Sequence, residues 1–212
     1  MKYSIEKEKF YITPRLAVLI QRYSRGKSLD AGCGTGEYFK YFKGEELYGI
    51  DVTPTYLKKI KKPKNKKIFL KKADVRKIPS LNEYFDFVFS AAVLEYMSNE
   101  KEIKKAVNEM KRVLKKGGFL IVSVPHNNSF TSFVRKQLIG RLLVQKAEDP
   151  YFVMGNSFSS EDLEKLGFKT KGCLGWVTWK NLNNDLLAKI TDNIFWKFPF
   201  LSGTLIGIYE KK

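Results

Sequence analysis

Histidine, cysteine and acidic side chains are all scarce in this chain of 212 residues, and each shortage removes a class of chemistry. One histidine, His126, and two cysteines, Cys33 and Cys173, give no four-ligand zinc site. The cysteines stand far apart and form no CxxC pair, so no disulfide scaffold is indicated and a reducing, cytoplasmic setting is expected. No stretch reaches the ~18 uncharged apolar residues of a spanning helix, and the opening MKYSIEKEKF lacks the apolar core of a signal peptide. A soluble protein is expected, with any membrane contact peripheral. Acids number 22 against 39 lysines and arginines, a net charge of +17. Such a field favours polyanions such as RNA, DNA or an anionic membrane surface; a lysine-rich solvated surface is the alternative.

What is present suits one packed unit. Hydrophobic residues make up 43% of the chain, and neither an internal repeat nor a linker interrupts it. We therefore expect a single domain over 1–212, with an N-terminal helical segment (1–25) and a cap insertion (126–158). From residue 27 to about 125 strand-like and helix-like patterns alternate, as in a parallel sheet covered by helices on both faces. Strands are expected at Lys27 to Ala31, Glu46 to Ile50, Lys66 to Lys72, Tyr84 to Ser90 and Phe119 to Val124. A helix carrying Tyr38, Phe39 and Phe42 should follow the first. Thr53 and Pro54 start a short second helix. Residues 99 to 116 form a longer one, capped by Asn99 with Glu102 and stopped by Gly117 and Gly118. Beyond Pro125 the pattern predicts a basic amphipathic helix over 129–145 and a short helix from Ser160 to Leu166. A strand from Phe168 to Trp176, a helix from Asn184 to Trp196 and a last strand from Thr204 to Tyr209 complete it.

The first strand runs into LDAGCGTGEY, and two later strands end at Asp51 and Asp74. Ligands of open parallel sheets sit in the crevice at the strands' carboxyl ends. Gly32, Gly34 and Gly36, with Thr35 between them, let the backbone take positive φ and approach a ligand closely. Asp51, about 19 residues beyond Gly32 and followed by Val52, is placed to accept both hydroxyls of a ribose. The Asp74 carboxylate can accept from an exocyclic amine while the Val75 amide serves a ring nitrogen. Asp30 adds negative charge beside the loop; opposite a cation at ~4 Å, with an effective dielectric of ~20, it is worth about 4 kcal/mol before desolvation. A cationic sulfonium with an ammonium group suits this acidic crevice. A pyrophosphate does not, because Glu37 stands where a dinucleotide fingerprint has its third glycine.

On these residues, residues 27 to 124 resemble the class I S-adenosylmethionine-dependent methyltransferases, in particular the group with a GCGTG loop. The resemblance implies an α/β, Rossmann-like, doubly wound seven-stranded sheet of order 3-2-1-4-5-7-6, with strand 7 antiparallel. It implies S-adenosyl-L-methionine as cofactor, S-adenosyl-L-homocysteine as product, and Ser90 lining the cofactor at the fourth strand's end. It also places Leu94, Glu95 and Tyr96 on the family's Leu-Glu-His triplet, so Tyr96 stands where relatives have histidine.

Two candidates for catalysis remain. His126 follows the fifth strand in VPHNN and titrates near neutrality, which suits a proton acceptor; a loop histidine without chemical duty is the alternative. Tyr96 is the second, with a packing or solvated role as its alternative. The helix at 129–145 and the apolar cluster of Phe195, Trp196, Phe198, Phe200 and Leu201 point to a small-molecule or lipid-like acceptor. That is the leading reading; nine lysines and no acid between Lys58 and Lys72 make RNA the second. A cofactor-binding subunit without catalysis is the third reading, and no stable protein partner is expected.

Overall fold

The structure, a computed structural model, describes residues 14–62, 66–127, 156–173, 190 and 193–212. Seven strands form one sheet: β1 Lys27–Ala31, β2 Glu46–Asp51, β3 Lys67–Lys72, β4 Phe85–Ala91, β5 Leu114–Pro125, β6 Lys169–Cys173 and β7 Thr204–Glu210. Their order is β3-β2-β1-β4-β5-β7-β6, as the family resemblance implies. The first five are parallel, and β7 runs antiparallel to both β5 and β6. The carboxyl ends of β1 to β5 therefore share one edge.

Helices cover both faces because the central strands are apolar on both sides. On one face α3 (Glu100–Val113) buries Ile103, Val107, Met110 and Val113 against Leu29, Val88 and Leu120, together with Leu163 of α4 (Ser160–Lys165). Fully burying each large aliphatic side chain contributes roughly 1.5–3 kcal/mol. On the other face α1 (Pro14–Tyr23) sets Leu16, Leu19 and Ile20 against Phe87, Phe89 and Ile121. A register shift between Phe85 and Phe87 explains how Phe85 and Val88 share one face of β4 while Phe87 and Phe89 share the other.

The structure corrects three expected elements. After Gly36 there is only a 3-10 turn, Phe39–Tyr41, because the chain must return to β2 at Glu46 while seating Phe39 and Phe42 in the core. α3 ends at Val113, three residues short of the expected stop. Leu114 is already extended and paired with Phe85, and Gly117 and Gly118 bond to Lys211, so sheet partners displace helical ones. Thr53 precedes α2 (Pro54–Leu57), but its side chain makes no capping bond. The helix expected at 129–145 and most of that from Asn184 lie outside the described residues, although 193–197 are helical (α5). Between β3 and β4, residues 73–84 form no helix.

Candidate active site at the strand ends

Asp30, the glycine loop, Asp51, Asp74, Ser90 and His126 all fall on the carboxyl edge of β1 to β5. Main-chain bonds shape the loop: the amides of Gly32 and Cys33 both donate to Ile50 O, at 2.8 and 2.9 Å. Gly32 takes φ +82°, and a Cβ there would come within 2.3 Å of Val93 Cγ2. Gly34, at φ +51°, would meet no atom within 4 Å. Its glycine serves the backbone conformation and leaves open space above the loop, a cradle for a ligand.

Asp51 ties this loop to the next. Its Oδ2 accepts from the Gly34 amide at 2.9 Å and its Oδ1 from the Thr53 amide at 2.8 Å. The carboxylate keeps lone pairs beyond these two bonds, which suits a diol. Asp30 is buried beside it, and burial, with the Asp51 charge second, pushes its carboxyl up to about 8. The Cys33 thiol is driven well up by burial and by the same two aspartates. Two acids this close, one of them largely protonated near neutrality, form a site that gains from an arriving cation.

Asp74 is more heavily engaged than the sequence suggests. Arg76 donates from its main-chain amide to Oδ1 at 2.8 Å, from Nε to both oxygens at 3.0 Å, and from Nη2 to Oδ2 at 2.6 Å. The Arg76 guanidinium holds the Asp74 carboxyl below its ordinary range and also bonds Glu102 at 2.6 Å, linking the end of β3 to the start of α3. Val75 is buried with its side chain in the core, whereas Val52 is exposed. Thr35 Oγ1 bonds Glu37 at 3.4 Å, and Ser90 Oγ donates to Ala31 O at 2.8 Å, pinning β4 to β1.

His126 is buried, its Nδ1 2.9 Å from Ser202 O and its amide bonded to Gly203 O. A carbonyl can only accept, so Nδ1 carries the proton and Nε2 is the basic nitrogen. Burial lowers its pKa, so the ring is neutral at pH 7. Tyr96 is 56% exposed at the end of the 3-10 turn Leu94–Tyr96. Its neighbour Glu95 is buried at 1% exposure, its Oε2 accepts no hydrogen bond among the described residues, and burial pushes its carboxyl up to about 8. Asn156 donates to Met97 O from the strip whose Phe158 bridges His126. The sequence placed Glu95 in the Leu-Glu-Tyr triplet without a role, and gave no signal for Arg76 or Asn156, which only the fold brings to this edge.

Comparison with known proteins fits this geometry. A family model described as a methyltransferase domain matches residues 29–122. An uncharacterized protein of Methanocaldococcus jannaschii is 30% identical over 179 residues, 79% of this chain and 80% of its own length. The chain belongs to the methyltransferase-domain family. A tRNA (carboxymethyluridine(34)-5-O)-methyltransferase of Arabidopsis thaliana is 34% identical over 112 residues, 52% of this chain and 27% of that one. A malonyl-[acyl-carrier protein] O-methyltransferase of Hamiltonella defensa is 32% identical over 133 residues, 52% and 50% of the two chains. The chain thus spans half or less of these two relatives. A crystallised S-adenosylmethionine-dependent methyltransferase of Thermotoga maritima shares the fold, with a TM-score of 0.60 at 17% identity over 92% of this chain and 87% of that one.

Proposed function

We propose that the protein moves the methyl group of S-adenosylmethionine to a nucleobase or ribose of RNA. The cofactor-site reading rests on one observation: Asp51 grips the Gly34 amide beneath open space, with buried Asp30 alongside. In this reading Asp51 accepts the ribose hydroxyls, Asp30 faces the ammonium, and the Gly32 to Gly36 backbone, with Thr35, lies along the amino-acid portion. Val52 borders the ribose. Asp74, oriented by Arg76, and the Val75 amide frame the adenine, and Ser90 fixes the floor beneath the sulfur.

The cofactor supplies an electrophilic methyl carbon on a sulfonium. This chain's residues orient the acceptor in line and remove its proton where the attacking atom carries one; orientation can contribute ~7–11 kcal/mol. His126 Nε2 takes that proton, while the Nδ1 bond to Ser202 O holds the tautomer. Tyr96, exposed beside the mouth, contacts the acceptor.

RNA takes precedence as acceptor because the described lysines between Lys58 and Lys72 form no ion pair among the described residues. A small-molecule or lipid-like acceptor is the second reading. It is favoured by the exposed Phe198 and Phe200, which could also let the protein touch an anionic membrane from the cytoplasm. Incubation with a tritiated methyl donor and total tRNA, rRNA, lipid or metabolite extract tests this: label in RNA is expected, and label confined to lipid or metabolites overturns it.

A further inference from the structure

One face of the sheet is left open where β2 and β3 meet. Residues 73–84 cross from β3 to β4 without a helix, so nothing helical among them covers the outer strands beside α3. Tyr48 and Phe69 are register partners and stack there, with ring centroids 4.7 Å apart and planes at 22°. Phe69 is 47% exposed and Leu81 on the crossing loop is 73% exposed. They border a cavity of about 410 Å³ that Ile78, Lys71 and Tyr84 also line.

The chemistry of this groove is not that of a buried core with its lid missing. Side chains alternate along a strand, so Lys67, Phe69 and Lys71 project on one face as cation, aromatic, cation. Both lysines are exposed, and neither pairs with a carboxylate among the described residues. At the inner wall Tyr48 and Tyr84 share a hydroxyl–hydroxyl bond of 3.0 Å. Glu46 accepts from Tyr48 at 3.1 Å, and Lys27 Nζ lies 4.4 Å from the Tyr84 ring centroid. An incoming protein strand on the β3 edge would meet exposed Lys67, Lys71 and Lys72, a device that discourages strand pairing. A flexible polyanion carrying flat apolar rings meets no such obstacle: its rings stack and its phosphates neutralise the lysines.

We infer that the β2–β3 face is a docking site for single-stranded RNA, with a base stacked on Phe69 and its flanking phosphates on Lys67 and Lys71. This rests on the RNA reading of the acceptor and adds a site away from the strand ends, where the substrate is held while another nucleotide enters the crevice.

The test is fluorescence anisotropy of labelled oligouridine and oligoadenosine with the full chain, without cofactor, across about 50–200 mM salt. Salt-dependent binding is expected. Phe69→Ala should weaken it by about tenfold or more with the salt slope retained, and Phe69→Leu, which keeps apolar area but no ring, should behave alike. Lys67→Gln with Lys71→Gln should reduce the log–log slope by about 1.4. S-adenosylhomocysteine affinity should stay unchanged, because none of the three positions belongs to the cofactor site, and thermal unfolding should remain cooperative in every variant, with Phe69→Ala lowered only by the lost stack on Tyr48. Absence of oligonucleotide binding, or binding indifferent to Phe69, overturns the proposal. So does a Phe69-dependent preference for acidic peptides or phosphatidylglycerol vesicles. Methyl incorporation separates the two claims: label entering RNA with binding indifferent to Phe69 sinks the docking site alone. Phe69-dependent binding with no label in RNA sinks the acceptor assignment alone.

Discussion

The amide of Gly34 and the carboxylate of Asp51, 17 residues apart in sequence, meet at 2.9 Å and couple the glycine loop to the end of β2. A single side chain thus shapes the cradle and presents the acceptor oxygens. Asp51→Ala should weaken S-adenosylhomocysteine binding by about 1.5–3 kcal/mol, the usual worth of hydrogen bonds to a charged group. Calorimetric titration measures this, and an unchanged affinity would remove Asp51 from the ribose.

Asp30 should lose a proton when cofactor arrives. Its carboxyl sits at about 8, so at pH 7 it is mostly neutral, and an ammonium beside it favours the ionised form. Titrations at pH 7 in buffers of differing ionisation enthalpy should show release of close to ~1 proton per cofactor, lost in Asp30→Asn. Identical proton release by wild type and variant would place the ammonium elsewhere.

Glu95 gives stability a pH dependence of fixed sign. Its carboxyl is raised from 4.5 to about 8 by burial, so the folded state binds the proton more tightly than the unfolded chain. Stability from this group is full below ~4.5, declines as pH rises towards 8, and is level above. Asp30 acts in the same direction. Glu95→Gln should remove the Glu95 share, raising stability by on the order of 3 kcal/mol at pH 7 with little change at pH 4. Urea unfolding at both values decides it; a variant less stable at pH 7 would mean the carboxylate has a partner.

His126→Ala should leave cofactor affinity intact while lowering kcat by ~10²–10⁴ where the acceptor must lose a proton. Because burial lowers the histidine's pKa, the wild-type rate should fall with acid only below the ordinary 6.5, and the variant should lack that limb. His126→Asn, which can still bond Ser202 O, controls for lost packing. Collapse of cofactor binding in both variants would mean that His126 supports the cofactor pocket and not the acceptor.

The strands were legible because buried parallel strands read as apolar runs, and FDFVFS and FLIVSV could hardly be anything else. Their order came from family resemblance, since pairing is not encoded locally. The turn after Gly36 misled because Tyr38, Phe39 and Phe42 have helical spacing, yet nine residues must both seat two rings and return to Glu46. At the site, the acids Asp30 and Asp51 could be read from their places beside the loop and strand end. Arg76 on Asp74 could not: its grip depends on a turn closed by Lys77 N on Asp74 O, which carries no sequence signature. Nor could the open β2–β3 face, which exists because twelve residues that might have formed a helix do not.

Cys33 sits within the glycine loop, and a methyl sulfonium is an alkylating agent for any thiolate in reach. Burial first, and then Asp30 and Asp51, the acids proposed to draw that cation in, hold the Cys33 sulfur in its protonated, unreactive form. The acidity that recruits the reagent thereby guards the loop against self-modification, and the chain can keep a nucleophilic element beside its own electrophile without being consumed by it.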